Sequence, residues 1–290
     1  MPYFKILLIV SFILSGMDIS AQTEEKKWSD KKTERKNRPF YIGIGAGWNS
    51  VSFRDFATSP LIYGGSGATI DLSTIRIDDK KETATNLNIS LGNYSASIAE
   101  SFSQSSVITI RNSYQQLYRL KKYSNERWNI KAGGRVGWLL NNRDNSSLGN
   151  NSFGLEIVGN LFGSLKVTRD LSRKKEKEMK IWFVRYKLKP LTRNISAQFN
   201  LGIINSNLRN GFAYIAQDGV INDSNVFADY RFNFLSGFRI STVFNYTIHL
   251  TKGNLVRLGY IWDAYHTGEE FDKFEMASHQ ILLSLWFRTK

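Results

Sequence analysis

Residues 230–249, YRFNFLSGFRISTVFNYTIH, alternate between apolar and polar side chains with a period of two. The even positions, from Tyr230 to Ile248, are mostly phenylalanine, tyrosine and isoleucine, whereas the odd positions, from Arg231 to His249, are mostly polar. A helix would distribute these aromatic side chains around its whole circumference, but in a strand successive side chains point to opposite faces. The stretch is therefore predicted to be a β-strand with one apolar and one polar face.

The same alternation recurs along the chain from Phe40 onward. It is clear in residues 127–141, 152–168 and 194–203, weaker in 40–53, 66–78, 84–98, 105–120, 179–189, 254–266 and 276–289, and doubtful in a twelfth segment, Gly211–Gln217. Turn-like polar stretches separate many of these segments, at 78–81, 122–125, 141–151 and 252–254. Segments of this length exceed the roughly 5–6 residues of a strand in a soluble sheet and match the roughly 9–11 tilted residues that cross a bilayer.

The two faces of these strands favour a membrane barrel over a soluble one. One face is almost entirely apolar, and the other carries Arg, Lys, Asn, Ser, Gln and Gly. Apolar residues toward lipid and polar residues toward a lumen give the polarity of a transmembrane barrel, whereas a soluble lipocalin-like barrel, the alternative, has the reverse polarity. Every backbone polar group must be satisfied in lipid, so the sheet has to close. An interfacial aromatic girdle would be formed by Trp48, Trp128, Trp138, Trp182, Trp262 and Trp286.

The first 38 residues have a different character. The apolar run Ile6–Leu14 is too short for the roughly 20 residues of a spanning helix, and a plausible cleavage point follows Ala21. Residues 1–21 are therefore predicted to be a secretory signal peptide rather than a retained anchor. Residues 22–38 carry eleven charged side chains and no apolar periodicity, which predicts a flexible charged periplasmic neck. The barrel is expected to occupy residues 39–290.

Composition excludes several classes of function. The 290 residues include no cysteine and three histidines, so a disulfide scaffold and a thiolate zinc site are excluded, and neither a metal nor a cofactor is expected. The 39 Lys and Arg exceed the 25 Asp and Glu, a balance that in a cytosolic protein would suggest nucleic acid. Export and the inward direction of the charges argue against a nucleic-acid partner.

The chain resembles the Gram-negative outer-membrane β-barrel proteins. The resemblance rests on the signal ending Ile19-Ser20-Ala21-Gln22, on the alternating strands and on the terminal segment His279–Arg288. Proteins of this class finish on an amphipathic strand with an aromatic residue that the barrel-insertion machinery reads; Phe287 would be that residue, although three residues follow it. The resemblance implies a cell outer membrane location, with outer-membrane lipid and the insertion machinery as partners. It identifies no subfamily, and architecture does not imply function.

The expected fold class is all-β, a closed antiparallel transmembrane β-barrel. Barrels made from one bacterial chain have even strand numbers and place both ends of the chain in the periplasm. Ten, twelve or fourteen strands all suit about 250 residues. Counting Gly211–Gln217 gives twelve and places the polar stretch Asp218–Asn225 outside the cell. The sequence therefore predicts about twelve strands.

Assigning the polar face of each strand to the lumen predicts a strongly basic interior. Thirteen basic residues would face three acidic ones, Asp71, Glu156 and Asp263. The basic set is Arg76, Arg111, Arg119, Arg127, Lys131, Arg135, Lys166, Arg185, Lys187, Arg231, Arg239, Arg257 and Arg288. Fixed cations between low-dielectric walls concentrate anions, and arginine binds carboxylate and phosphate bidentately. The residues expected to line the lumen and bind anions are Arg111, Arg119, Arg127, Lys131, Arg135, Arg231, Arg239 and Arg257.

Three functions are compatible with this pattern. The preferred hypothesis is a porin-like barrel for the passive, non-enzymatic passage or binding of small anionic solutes. The alternative is a non-conducting barrel, filled by a charged network, that serves as a subunit or scaffold of an outer-membrane complex. A lipid-ester hydrolase that uses His266, Ser278 and a carboxylate from Glu269 or Glu270 is the weakest hypothesis, because serine is common here and a histidine at a strand end is usually interfacial.

Overall fold

A closed ring of antiparallel strands dominates the fold. The computed structural model describes residues 38–98, 101–151, 153–173, 175–182, 184–188, 190–210, 230–267 and 273–289. The predicted signal peptide lies outside the described residues, as do the predicted neck apart from Arg38, the doubtful strand Gly211–Gln217 and the predicted external stretch Asp218–Asn225.

The described chain contains thirteen strands and two short 3-10 turns, Lys121–Tyr123 and Ser146–Asn151. The strands are β1 (Phe40–Asp55), β2 (Ser59–Ile77), β3 (Lys81–Ile98), β4 (Ser101–Arg119), β5 (Trp128–Asp144), β6 (Phe153–Asp170), β7 (Lys177–Ile181), β8 (Val184–Leu188), β9 (Arg193–Asn210), β10 (Tyr230–Phe234), β11 (Phe238–His249), β12 (Leu255–Thr267) and β13 (Phe274–Arg288). None of the described helical segments is long and apolar enough to span a membrane.

The ring closes where the first strand meets the last. β1 pairs with β13 from Tyr41 opposite Arg288 to Asp55 opposite Phe274, and β6 pairs with β9 across the 171–192 connection. Each of the strands β1 to β6, β9, β11, β12 and β13 pairs with a neighbour on both sides. The described residues therefore form a ten-stranded closed antiparallel barrel, with β10 as an additional strand in the same sheet.

The prediction of twelve strands is wrong, and so is the prediction of one continuous strand over residues 230–249. Residues 179–189 do not cross the barrel, because the chain reverses after five residues of β7 through Trp182, at φ 57°, and β7 and β8 form a separate two-stranded sheet. Residues 230–249 are not one strand, because Leu235 at φ 55° and Gly237 at φ 83° interrupt it between β10 and β11. A left-handed backbone at two nearby positions cannot continue a strand.

The predicted polarity of the two faces is confirmed. On β1 the residues Asn49 and Asp55 are buried inside the barrel, whereas Ile44 and Trp48 are about half exposed on its outer wall. The same alternation runs along β13, whose even positions from Phe274 to Trp286 are buried. Phe287, the aromatic residue of the terminal segment, lies on the outer wall.

One predicted girdle tryptophan lies inside instead. Trp286 has only 4% of its side chain exposed and belongs to an inner cluster with Tyr41, Ile75 and Leu255. Its ring occupies space that Gly43 leaves open, since a Cβ on Gly43 would lie 2.6 Å from that ring. Glycine on the inner wall thus makes room for a bulky neighbour.

The two ends of the barrel differ in what they carry. The end that contains Phe40, Arg288 and the turns at 78–80, 120–127 and 250–254 is called the terminal end below. The opposite end, which contains Asp55, Asp144 and Thr267, is called the distal end.

Candidate functional site

The distal half of the barrel interior is filled by an apolar cluster, called the apolar plug. Phe53 stacks on Tyr63 with ring centroids 5.1 Å apart and on Phe274 at 6.0 Å, and Tyr94 meets Phe53 edge-on at 5.9 Å. Its members are Val51, Phe53, Tyr63, Tyr94, Ala96, Val107, Leu139, Val158, Tyr265, Phe274 and Met276. These side chains point into the barrel because they share the inward parity of their strands.

Next to this plug lies a group of four charged side chains, called the ionic ring. Arg143 and Arg209 donate hydrogen bonds to the two carboxylate oxygens of Asp55 at 2.6 and 2.7 Å. Glu156 lies 3.6 and 3.7 Å from the same two guanidinium groups. All four residues are at most 5% exposed, and the Arg143 guanidinium lies 4.1 Å from the Phe274 ring centroid. The ionic ring and the apolar plug together occupy the distal half of the lumen.

A second charged cluster lies at the middle of the barrel. Arg239 binds both oxygens of Asp263, with Nε 3.0 Å from Oδ1 and Nη2 2.7 Å from Oδ2. Arg239 Nη1 also donates to Asn160 Oδ1 at 2.8 Å. Arg111 Nε lies 3.6 Å from Asp263, so two guanidinium groups share one carboxylate. These charges are neutralised only in part.

A third charged cluster lies toward the terminal end. Glu82 accepts a hydrogen bond from Lys166 Nζ at 2.6 Å and lies 3.8 Å from Lys131 Nζ. Gln115 donates to the same carboxylate at 3.2 Å. Glu82 is 1% exposed, so this carboxylate is held entirely by protein groups.

A cavity of about 140 Å³ lies between the middle cluster and the terminal end. Arg135 and Arg257 both face it, and no carboxylate among the described residues lies within ion-pair distance of either. Arg257 packs 4.3 Å from the Trp286 ring and donates to Thr247 Oγ1 at 3.2 Å, and Arg135 lies 5.5 Å from the Phe162 ring. The wall also includes Asp71, Ser73, Glu82, Asn86, Lys166, Gln198 and Asn245. The cavity therefore presents two guanidinium groups whose charge is not directly paired.

The structure separates the eight residues predicted to line the lumen into three groups. Arg111, Lys131 and Arg239 are buried in ion pairs, and Arg135 and Arg257 line the cavity. The others lie at the ends: Arg119 pairs with Asp79 at 3.9 Å on the terminal rim, Arg127 is exposed in the turn before β5, and Arg231 is exposed on β10. Arg127 thus lies outside the barrel strands, whereas Arg231 lies on the additional strand of the barrel sheet, opposite Arg209.

The predicted excess of thirteen basic over three acidic residues is also corrected. Arg76 faces outward against Phe40, Arg185 and Lys187 lie in β8 outside the barrel, and Arg288 is exposed at the terminal end. Inside the described barrel, eight basic side chains face five acidic ones, a difference of three. The basic ones are Arg111, Lys131, Arg135, Arg143, Lys166, Arg209, Arg239 and Arg257, and the acidic ones are Asp55, Asp71, Glu82, Glu156 and Asp263.

Four of these residues lie beyond the predicted strand ends and would follow from longer strands with the same parity. Asp55 and Arg143 continue the inward parity of their strands beyond the predicted ends at 53 and 141, and Glu82 precedes the predicted start at 84. Arg209 likewise lies beyond the predicted end at 203. Because the strands extend well past the length that a bilayer requires, their ends carry functional side chains too.

The predicted hydrolase residues are not brought together. Ser278 points into the barrel, is 1% exposed and donates to the backbone oxygen of Asp263 at 3.4 Å. His266 has the opposite parity and lies on the outer wall, stacked against Phe238 with ring centroids 6.3 Å apart. Glu269 and Glu270 lie outside the described residues. The Ser278–His266 set is therefore wrong. The described residues also hold no cluster of three or more His, Cys, Asp or Glu side chains that could bind a metal.

Comparison with solved structures identifies the architecture. The outer membrane protease OmpT from Escherichia coli superposes with a TM-score of 0.50 at 7% identity, covering 86% of this chain and 96% of that one. The chain has the fold of a Gram-negative outer-membrane β-barrel. The translocator domain of the autotransporter NalP from Neisseria meningitidis matches at a TM-score of 0.34 and 8% identity, covering 92% of this chain and 95% of that one. No protein-family model and no curated protein sequence matches the chain.

Proposed function

We propose that this protein is an outer-membrane β-barrel that binds a small anion in its lumen, in a cavity that opens toward the periplasm, and that does not conduct. The proposal rests on one observation above all: Arg135 and Arg257 face the same cavity, and neither has a carboxylate within ion-pair distance among the described residues.

The membrane location is supported by the polarity of the barrel wall. Large apolar side chains such as Ile44, Ile70 and Leu283 are about half exposed on the outer wall, whereas the inner wall is charged and polar. In water such an exterior would be an extended apolar patch, but in a bilayer it is the required surface. Placing the terminal end, where Phe40 and Arg288 lie, in the periplasm puts the cavity on the periplasmic side and the apolar plug on the outer side.

Binding is better supported than passage. A conducting lumen needs a continuous polar path, but Phe53, Tyr63 and Phe274 occupy the distal interior together with the ionic ring. The carboxylates of that ring are saturated by Arg143 and Arg209, so the ring offers no free charge to a passing ion. The notion of a subunit or scaffold in an outer-membrane complex, with the insertion machinery and outer-membrane lipid as partners, remains a separate hypothesis.

The cavity suits a compact polyatomic anion. Two guanidinium groups with low-dielectric surroundings attract charge more strongly than they would in water, and each can donate paired hydrogen bonds to carboxylate, phosphate or sulfate oxygens. The side-chain amide groups of Asn86, Gln198 and Asn245 also line the wall. The proposed role is reversible binding, without conversion of the ligand.

Isothermal titration of the refolded full chain with sulfate tests the proposal. We expect saturable binding that weakens about tenfold in Arg135→Gln and in Arg257→Gln, because each removes one charge-assisted contact. Arg127→Gln, exposed in a turn, is the matched control and should bind like the parent. Absence of binding, or equal weakening in all three variants, would refute the proposal.

A further inference from the structure

A groove of about 390 Å³ runs across the outer wall near the distal end. Its floor is a row of small side chains from three neighbouring strands, Ser52 on β1, Ala277 on β13 and Ala264 on β12, which lie directly opposite one another in register. Ile62 stands at one side and Phe238 at the other. The surrounding wall carries large apolar side chains, so this row is a local depression in an apolar surface.

A row of polar side chains borders the groove one step closer to the distal end. Arg54, Glu275 and His266 lie opposite one another on the same three strands. The Arg54 Nε and the His266 Nδ1 are both buried and have no hydrogen-bond partner among the described residues. Two unpartnered polar atoms beside one groove indicate that a ligand group completes the site.

Among the described residues at this border, Arg54 and Lys273 are positive and Glu275 is negative, a net charge of one positive. Lys273 Nζ lies 2.5 Å from Glu275 Oε1, so this lysine offsets the charge of that carboxylate. Arg54 packs 5.0 Å from the Phe56 ring, and no carboxylate of the described residues pairs with it. A ligand that satisfies Arg54 and His266 is therefore expected to be anionic.

We propose that this groove binds a phosphate-bearing lipid of net negative charge in the membrane's outer leaflet, with one acyl chain over Ser52, Ala277 and Ala264 and the phosphate at Arg54 and His266. A soluble anion would satisfy the polar border but leave the apolar floor uncovered. A lipid satisfies both, because its chain is already in the phase that contacts the wall. The groove volume lies within the range of roughly 300–1,000 Å³ typical of ligand sites.

Native mass spectrometry of the full chain, released from detergent with added lipid, tests this site. The probes are dioleoylphosphatidylglycerol, dioleoylphosphatidylcholine and inorganic phosphate. Two variants perturb the groove: Arg54→Gln removes the charge, and Ala264→Leu fills the floor. Their matched controls are Arg127→Gln and Ala68→Leu, which change an exposed arginine and an exposed alanine outside the groove.

We expect one phosphatidylglycerol to remain bound to the parent and to both controls, with the apparent affinity about tenfold lower in Arg54→Gln and in Ala264→Leu. The control variants show whether the same chemical change outside the groove alters lipid retention. Retention of phosphatidylcholine equal to that of phosphatidylglycerol would overturn the role of Arg54. Loss of affinity in the controls as large as in the groove variants, or binding of inorganic phosphate that Ala264→Leu leaves unchanged, would overturn the lipid site.

Discussion

Replacing Asp55 with asparagine is expected to destabilise the barrel strongly. Asp55 is 1% exposed and accepts hydrogen bonds from Arg143 at 2.6 Å and from Arg209 at 2.7 Å. The substitution keeps the shape of the side chain but removes the charge between two buried guanidinium groups. Each charge-assisted hydrogen bond contributes about 1.5–3 kcal/mol, and breaking a buried ion pair costs about 3–5 kcal/mol.

The free energy of unfolding is therefore expected to fall by about 3 kcal/mol, toward the lower end of that range. Glu156 stays 3.6 and 3.7 Å from the same two arginines and compensates in part. The assay is urea unfolding of the refolded barrel in lipid vesicles, followed by tryptophan fluorescence.

An exposed ion pair provides the control for this experiment. Lys273 and Glu275 approach to 2.5 Å, but their side chains are 37% and 38% exposed, so Glu275→Gln should cost less than about 1 kcal/mol. A double variant, Asp55→Asn with Arg209→Gln, should lose less stability than the sum of the two single changes, because they share one interaction. A loss below about 1 kcal/mol in Asp55→Asn would refute the structural role of the ionic ring.

Two further predictions concern the terminal half of the barrel. Gly43→Ala should lower the free energy of unfolding by about 1–3 kcal/mol, because the added Cβ would lie 2.6 Å from the Trp286 ring. Gly64→Ala is the control: no atom lies within 4 Å of its added Cβ, so it should change stability little in the same urea titration. Glu82→Gln should tighten sulfate binding about threefold to tenfold in the calorimetric assay, because it removes a negative charge from the cavity wall; weaker binding would contradict the electrostatic account.

Much of the fold follows from the sequence because side-chain alternation determines which face of a strand is buried. The period of two along residues 230–249 indicates strand structure, and the predicted apolar outer face and polar inner face are those of the structure. Strand number does not follow, because alternation cannot distinguish a barrel strand from the β7–β8 hairpin. The interruption at Leu235 and Gly237 could not be predicted either, because it depends on backbone angles that neither residue type requires.

The candidate site could be predicted only in part, because alternation gives the direction of a side chain but not its partners. Parity places Arg135 and Arg257 in the lumen, but it does not indicate which basic residues have carboxylate partners. Asp263 binds Arg239 in a bidentate pair, while Arg135 is left without one, and that difference depends on strand register around the whole ring. Register is a tertiary property, which a single sequence does not specify.

The filled distal interior explains why a barrel with an excess of basic side chains in its lumen does not have to be a pore. The charged side chains of the ionic ring are paired with one another, and the apolar plug beside them occupies the distal interior. Toward the terminal end, the guanidinium groups of Arg135 and Arg257 face an open volume. The interior is thus divided into a filled distal half and a terminal half that contains a cavity.

Planar-bilayer recording under a potassium chloride gradient tests this division most directly. The account predicts no stable current from the correctly folded parent protein, and current after Phe53→Ala and Phe274→Ala together remove two rings from the apolar plug. A stable anion-selective current from the parent, reduced by neutral replacements at Arg135 and Arg239, would contradict the closed lumen and support the hypothesis of an anion pore.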